Sequence, residues 1–337
     1  MNNRLLFLAL TPCVLAFALL AHLTFGATRF PVSEVIETLI RQQADTFEQS
    51  VILYQRLPRA LIAIYVGATT AVAGAVLQGL TRNPLASPST LGINAGAMLF
   101  VIAGAYLFDL GMEAQGIAAL AGGFGGFFAC LLVARVAGRR NDPRGLALIL
   151  AGTLVSMLLV GLTNAFLLSD PARRADFLGF VSGNINHVYA DRLAAFWWIG
   201  ALALTVLAIL ARPLTLILLG AEKAASAGVP ATFVSRLALI SAMLASSSAV
   251  AICGPIGFVG LIVPHLLRPL VGNGFARLLP SAALTGAALC LAADLAAREA
   301  FQPFNVHTGL LMDLFGGLVF VVIVKRYYLS PARRELS

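Results

Sequence analysis

Long apolar runs constrain the fold of this chain more than any other feature of its sequence. Clusters of Arg, Pro and Gly separate them, and most are close to the roughly 20 mainly apolar residues that a membrane-spanning helix needs. They predict an all-α, polytopic membrane protein of about ten transmembrane helices that forms a single transmembrane domain over residues 1–337. The runs lie at roughly 5–25, 60–80, 91–108, 116–137, 145–168, 193–211, 235–253, 256–271, 279–297 and 306–324.

The composition excludes the main classes of soluble protein. Of the 337 residues, 59% are hydrophobic and only 11% are charged, whereas soluble domains carry about 25% charged residues. A net charge of +8 would suggest a nucleic-acid partner in a soluble protein, but the cations here lie in short segments between apolar runs. We therefore expect contact with membrane lipids and no nucleic-acid partner.

The cations also predict an orientation in the membrane. An even number of spans puts both termini on one side, and cytoplasmic termini place fifteen of the 23 Lys and Arg residues inside and eight outside. Cytoplasmic loops carry the excess of cations in membrane proteins, so we expect both termini to be cytoplasmic. Topology does not explain the eight outer cations, which are Arg29, Arg41, Arg56, Arg59, Arg173, Arg174, Arg192 and Arg298.

Glycine and proline predict how some helices pack. Gly92 with Gly96, and Gly122 with Gly126, have the spacing that lets two helices approach closely. The eighth run is short and rich in Gly and Pro, and breaks in a helix at membrane depth are tolerated where protein surrounds them. We predict that this run is a partial or broken helix buried among its neighbours.

The sequence carries no recognisable site for catalysis. It has no GxxxxGK[ST] motif for ATP phosphates, and its His, Asp and Glu residues show no metal-ligand spacing. The four histidines lie in different segments, and the four cysteines lack CxxC spacing. We expect no enzymatic activity, no resident metal and no cofactor.

The first of three polar segments at the predicted membrane boundaries is RLPRALIAIYVGATTAVAGAVLQGLTRNPLASPSTLG, residues 56–92. Pro58 suits the first turn of a helix, because its missing amide would have no partner there. After that helix, Asn-Pro at 83–84 and Ser-Pro at 87–88 break the chain twice. The turn is either an ordinary connection or a constriction at the cytoplasmic mouth of a pathway.

The second segment is LILLGAEKAASAGVP at 216–230. Glu222 and Lys223 begin a short amphipathic stretch, Gly228 follows it, and Pro230 opens the next element, an order typical of helix capping. A helix of this kind on the cytoplasmic side either caps the bundle or docks into a groove of a cytoplasmic partner.

Two acids fall inside predicted helices, where an ionisable side chain is costly and usually faces the protein interior. Asp294 lies four residues before Arg298, so the two share one helix face. The other acid is Asp313. His265, in the third polar segment CGPIGFVGLIVPHLLRPLVG at 253–272, is either a proton relay or a structural group.

Together these segments resemble the FecCD-type permeases, the membrane subunits of ATP-driven importers for iron-siderophores, haem and cobalamin. The resemblance covers nearly the whole chain and rests on four motifs in the same order. They are RLPR with RNPLASPSTLG in 56–92, the Glu222-Lys223-Ala224-Ala225 loop with Gly228, GPIGFVGLIVPH at 254–265, and LLPSAALTGAALCLAADLAAR at 278–298.

The resemblance implies a type II ABC importer permease fold in a bacterial cytoplasmic (inner) membrane. Such a subunit pairs with a second permease subunit, identical or homologous, around a central pathway. Two cytoplasmic ATP-binding subunits and a periplasmic or lipid-anchored substrate-binding protein complete the importer. The implied substrate is an iron-siderophore complex, with haem or cobalamin as alternatives. An alternative of another class is a self-contained, proton-coupled secondary transporter in which Asp294, Asp313 and His265 relay protons.

Three sets of residues match functional positions of the family. The set that matches the ATPase coupling loop is Gly220, Glu222, Lys223, Ala224, Ala225 and Gly228. The set that matches a cytoplasmic gate is Asn83, Pro84 and Leu85. The set that matches the outer arginines, which dock acidic residues of the binding protein, is Arg56, Arg59 and Arg298. We expect these three arginines to form an outward-facing cationic patch.

The last predicted helix departs from the family pattern. Family members usually carry Leu-Pro-Val-Gly there, followed by Gly-Ala-Pro-Phe-Phe, whereas this chain reads PFNVHTGLLMDLFGGLVF at 303–320. The proline is lost, and Asp313 is gained in a helix expected to line the pathway. Asp313 and Asn305 are therefore candidate pathway residues, and a polar packing contact is the alternative role for Asp313.

Overall fold

The fold is given by a computed structural model that describes residues 3–137, 146–302, 304 and 306–327. Within these ranges the chain forms helices joined by turns and contains no β-strand, which confirms the predicted all-α class. The helices are α1 Asn3–Thr24, α2 Val32–Arg41, α3 Phe47–Val51, α4 Leu57–Thr81, α5 Ile93–Phe108, α6 Met112–Ala137, α7 Leu146–Ser169, α8 Pro171–Val181, α9 Ala190–Leu218, α10 Ala221–Ser226, α11 Ala231–Cys253, α12 Val259–Val271, α13 Phe275–Glu299 and α14 Thr308–Tyr327.

Each predicted apolar run overlaps one of the longer helices, namely α1, α4, α5, α6, α7, α9, α11, α12, α13 and α14. By length and composition, six helical stretches of the described chain are able to cross a membrane: Phe47–Thr81, Met112–Val136, Ala147–Ser169, His187–Leu218, Ala231–Cys253 and Phe275–Glu299. Four apolar helices are shorter: Leu10–Thr24, Ile93–Phe108, Val259–Val271 and Thr308–Val322. The predicted helix positions are confirmed, and the number of membrane crossings stays a prediction.

Helix α4 lies at the centre of the bundle and packs against α9, α11, α12 and α13. Most of its buried side chains are Ala, Gly, Val or Thr, which are small enough for neighbouring backbones to approach. Gly67 faces the backbone of Gly286 in α13, and Gly74 faces that of Gly260 in α12. A Cβ atom at Gly67 or Gly74 would overlap the neighbouring backbone, so these glycines set the spacing of the core helices.

The predicted small-residue packing joins α5 to α6. The backbone of Gly96 faces Gly122 and Gly126, and the backbone of Gly92 also faces Gly126. The side chain of an Ala at Gly96 would collide with the Gly122 carbonyl. The four residues therefore have the packing role that their spacing indicates.

The eighth predicted run is a partial helix, as its Gly and Pro residues indicate, because α12 is short and a break precedes it. After α11 ends, the chain is not helical until α12 begins at Val259. Gly254 and Phe258 in this break have positive φ angles of 80° and 61°. Protein surrounds the break, because the Asn184 amide donates to the Cys253 carbonyl at 3.0 Å and Gly254 faces the Phe180 carbonyl. The backbone groups freed by the break are thus partly satisfied by the neighbouring segment.

The two ends of the bundle are distinguished by α4, whose 25 residues span about 37 Å. We call the end at which α4 starts the arginine end, because Arg56, Arg59 and Arg298 lie there. At the opposite end, the Phe275 ring lies against Gly79, so α13 starts where α4 finishes.

Helix α9 also finishes at this opposite end. The amide of Phe275 donates to Thr215 Oγ1 at 3.0 Å, and Thr215 belongs to the last turn of α9. The chain enters α10 directly after α9, so α10 lies at the same end as the 83–85 turn that follows α4. The predicted coupling loop and the predicted gate therefore share one end of the bundle.

Candidate functional site

A fully buried carboxylate, Asp294, organises the arginine end. The Arg59 guanidinium donates to it through two parallel hydrogen bonds, Nε to Oδ2 at 2.7 Å and Nη2 to Oδ1 at 2.9 Å. Bidentate pairs of this kind are among the strongest charge-assisted hydrogen bonds. Arg59 starts α4 and Asp294 lies near the end of α13, so the pair fixes the relative position of the two helices.

Three further side chains complete the shell of Asp294. His22 Nε2 lies 2.8 Å from Oδ2, and Thr308 Oγ1 donates to Oδ1 at 2.6 Å. Arg298 Nε is 3.5 Å from Oδ2, and Arg298 Nη2 donates to the His22 carbonyl at 3.2 Å. The predicted facing of Asp294 and Arg298 is thus confirmed. The cluster joins α1, α4, α13 and α14, and its His22, Arg59 and Thr308 partners were not foreseen from the sequence.

The expectation that the three arginines form an outward-facing patch is wrong for Arg56. Its side chain is buried, with 5% of the residue exposed, and it donates to the carbonyls of Leu23 at 2.7 Å, Thr24 at 3.0 Å and Thr28. Its guanidinium also stacks 4.2 Å from the centre of the Phe30 ring. The carbonyls at the end of α1 need donors, and a five-donor guanidinium supplies them.

Arg59 and Arg298 are also largely covered, with 15% of each side chain exposed. The buried charge of Asp294 draws both guanidinium groups inward, because an uncompensated carboxylate in this apolar setting would be costly. Their docking role stays a prediction. Both arginines line a cavity of about 1060 Å³ at the arginine end, which we call the arginine cavity. Its other polar lining includes Gln55, Asn184, Asn186, His187, Glu299, Gln302 and His307.

At the opposite end, the three predicted gate residues form a tight turn. Arg82, the residue that follows α4, has a left-handed φ of 51°. The buried Asn83 then accepts a hydrogen bond at Oδ1 from the Leu85 amide at 2.9 Å. This Asx-type bond, followed by the fixed φ of Pro84, holds the turn without regular structure. The gating role of these residues stays a prediction.

The predicted short capped helix is present as α10. The Gly228 amide donates to the Ala225 carbonyl and the Val229 amide to the Ala224 carbonyl, both at 2.9 Å. This is the Schellman pair of bonds, which requires a left-handed residue, and Gly228 has a φ of 70°. Ala224 packs inward, whereas Glu222, Lys223, Ala225 and Gly228 are exposed. Gly220, with a φ of 124°, forms the entry to the helix.

Helices α5, α7, α12 and α14 enclose a second cavity of about 670 Å³, which we call the wall cavity. It contains the gate residue Leu85 and the pathway candidate Asp313, so the structure brings these two predictions together. The other pathway candidate, Asn305, lies outside the described residues. The polar groups of the wall cavity also include Ser87, Ser89, Thr90, Asn94, Ser156 and Ser182.

The three groups of the alternative proton relay are placed apart along the bundle. Asp294 belongs to the cluster at the arginine end, Asp313 lines the wall cavity, and His265 lies in α12, which runs towards the opposite end. In the described ranges, no three His, Cys, Asp or Glu side chains are placed to hold a metal ion, and the four cysteines are free thiols.

The burial of Asp294 generates a prediction about stability. Asp294→Asn keeps the shape of the side chain but leaves Arg59 and Arg298 without their counter-charge, and breaking a buried ion pair typically costs about 3–5 kcal/mol. We expect that loss in the free energy of unfolding, measured by denaturant titration in detergent. Glu299→Gln on the same helix is the control and should change it by less than about 0.5 kcal/mol. Equal stabilities of the two variants would contradict the organising role of the cluster.

Comparison with known proteins gives consistent matches over nearly the full chain. The model of the FecCD transport family matches residues 14–326. The Fe(3+)-citrate import system permease protein YfmD of Bacillus subtilis (strain 168) is 31% identical over 325 residues, covering 96% of each chain. The iron(3+)-hydroxamate import system permease protein FhuB of the same organism is 32% identical over 322 residues, 93% of this chain and 81% of that protein.

A solved structure is similar throughout. It is an inward-facing conformation of a metal-chelate type ABC transporter, and it matches with a TM-score of 0.77 and 28% sequence identity. The match covers 96% of this chain and 99% of the other. The helix order described above is therefore that of an ABC transporter membrane subunit.

Proposed function

The chain belongs to the FecCD transport family, and from this premise we propose that it is the membrane-spanning permease subunit of an ATP-driven importer. Its proposed substrate is an iron-siderophore complex, because the similar permeases import Fe(3+)-citrate and iron(3+)-hydroxamate. The observation that carries the proposal is the family match over residues 14–326, joined to a cavity in the helix bundle that carries some polar side chains and reaches the predicted gate. Haem and cobalamin remain alternative substrates.

We further propose that a second permease subunit, identical or homologous, covers the mouth of the wall cavity. Helix α7 leaves Leu150, Leu154, Met157 and Leu158 exposed, and α14 leaves Leu314, Phe315 and Leu318 exposed, so both helices bordering this cavity present apolar side chains. These apolar side chains would also suit contact with lipid. Lipid at the mouth of the cavity would, however, leave the Asp313 carboxylate in hydrocarbon, which is costly. A facing subunit would instead enclose that polar surface in a shared pathway.

The remaining proposals concern topology and partners. The charge distribution supports ten spans in a bacterial cytoplasmic membrane with both termini cytoplasmic, so that α10 faces the cytoplasm. One of the two cytoplasmic ATP-binding subunits then docks on α10, whose exposed Glu222, Lys223 and Ala225 form the contact surface, and the other docks on the second permease subunit. A periplasmic or lipid-anchored binding protein docks at the arginine end, over the rim of the arginine cavity.

Uptake by the assembled importer tests the proposed function. The chain is reconstituted in liposomes with its second permease subunit, ATP-binding subunits and binding protein, and accumulation of a radioactive ferric hydroxamate chelate is measured. We expect accumulation with ATP enclosed and none with ADP. Accumulation by the permease alone, driven by a proton gradient without ATP, would instead support the secondary-transporter alternative.

The turn after α10 generates a prediction about coupling. Valine at position 228 must adopt the left-handed conformation that Gly228 has, at a cost of about 1–3 kcal/mol, and the Schellman turn should open. We expect Gly228→Val to lower the ATPase activity stimulated by the loaded binding protein by about tenfold, while the complex still inserts.

A matched control separates coupling from backbone strain. Gly272 has a φ of 88° and also has open space around it, but it lies in the turn between α12 and α13. Gly272 combines its positive φ with a ψ of −177°, a conformation that essentially only glycine adopts, so Gly272→Val strains the backbone at the same end of the bundle at least as much as Gly228→Val. It should nevertheless retain stimulated ATPase activity. A similar loss in both variants would remove the specific role of α10.

The rim of the arginine cavity generates a prediction about docking. Arg298→Gln removes one cation there but leaves the bidentate pair of Arg59 and Asp294 intact. Partly exposed ion pairs contribute about 0.2–1 kcal/mol, so binding-protein affinity should fall up to about fivefold at low ionic strength and less at high ionic strength. Arg41→Gln, an exposed cation of α2 paired with Glu37, is the control. Unchanged affinity of the Arg298 variant at both ionic strengths would exclude a docking role for this residue.

A further inference from the structure

Several polar side chains of the wall cavity already form hydrogen bonds with other groups of the protein. Asn94 Nδ2 donates to Ser89 Oγ at 3.0 Å, and Asn94 Oδ1 accepts from Ser246 Oγ at 3.2 Å. Ser156 Oγ donates to the Ser89 carbonyl at 3.2 Å. The hydroxyl and amide groups therefore stabilise the wall, and few of their hydrogen-bonding positions are left for a ligand.

Asp313 is the exception in this cavity. Its carboxylate lies beside Gly257 in the break before α12, and it receives no hydrogen bond or ion pair from any residue that the structure describes. The cavity lining also includes Phe258, Leu261 and Leu310, which offer no donor. The residue is exposed in the single chain, so a molecule in the cavity is able to reach it. Inside a membrane an acid at this position is costly unless a donor or a cation reaches it, so it indicates a function.

The charge of this acid has no counterpart in the described lining. No Lys, Arg or His lines the described part of the wall cavity, so Asp313 determines the sign of its potential. If the second subunit is identical, it brings the same cavity lining, which adds another Asp313 and no cation among its described residues. The partner that suits this position is therefore a positively charged group on the molecule that passes through.

We propose that Asp313 makes the wall cavity selective for ferric chelates that carry a cationic group, such as an ammonium, over anionic chelates of the same shape. This inference rests on the proposed function and specifies its substrate class. The carboxylate accepts hydrogen bonds from the ammonium during passage, and it repels an added carboxylate at the same place. Asp313 is thus a specificity-determining residue of the pathway wall.

A matched pair of chelates tests the proposal. One is a linear trihydroxamate iron(III) chelate with a free terminal ammonium, and the other is the same chelate with that amine succinylated, which replaces the cation by a carboxylate. Uptake of both is measured in the assembled importer with one binding protein at saturation, for the wild type and for Asp313→Asn. Because both proteins receive substrate from the same binding protein, the change in the uptake ratio reports on the permease alone.

We expect the wild type to favour the ammonium chelate, and the ratio of the two uptake rates to fall about tenfold in Asp313→Asn, as for a lost hydrogen bond to a charged group. Glu113→Gln, which removes an exposed acid at the start of α6, should keep the wild-type ratio. An unchanged ratio in Asp313→Asn, with both chelates transported, would overturn the inference and leave the proposed function standing. Failure of the wild type to import either chelate would overturn the proposed function and this inference with it.

Discussion

The buried carboxylate of Asp294 holds four helices in one arrangement, and much of the remaining structure depends on it. Apolar helices in lipid gain little from contact with each other, because lipid tails are as apolar as leucine side chains, so directional interactions and close backbone contacts decide their positions. The Arg59 pair fixes α4 against α13, while His22 and Thr308 attach α1 and α14 to the same group. The position of α14 in turn determines where Asp313 lies.

The two ends of the bundle are built differently. The arginine end is tied by charge-assisted hydrogen bonds to buried groups, including those from Arg56 to the end of α1. The opposite end is formed by turns that Asn83, Pro84 and Gly228 make possible, and α10 makes its main contacts with α9 and α11. A short helix with few contacts is able to follow a bound partner more easily than the bundle core, which suits the proposed coupling at that end.

The chain uses polar residues in two ways inside an apolar bundle. At Asp294 every strong acceptor position is filled by a donor from the protein, so the group contributes to the position of the helices and offers little to a ligand. At Asp313 the carboxylate faces a cavity and has no protein donor in the described chain. Each acid falls inside an apolar run of the sequence, and the spacing to Arg298 gives Asp294 one local partner. Only the neighbours in space show that Asp294 is a structural group and Asp313 a candidate pathway group.

The sequence by itself determined the helix positions, the partial eighth helix, the capped α10 and the pairing of Asp294 with Arg298, because apolar runs, Gly and Pro positions and i, i+4 spacing act over a few residues. Only the tertiary structure decided that Arg56 is buried, that Arg59 pairs with Asp294 across 235 positions of the chain, and that Leu85 and Asp313 share one cavity. The physical reason is that a side chain's burial and its distant partners depend on how whole helices pack, and local spacing carries no information about which helices meet.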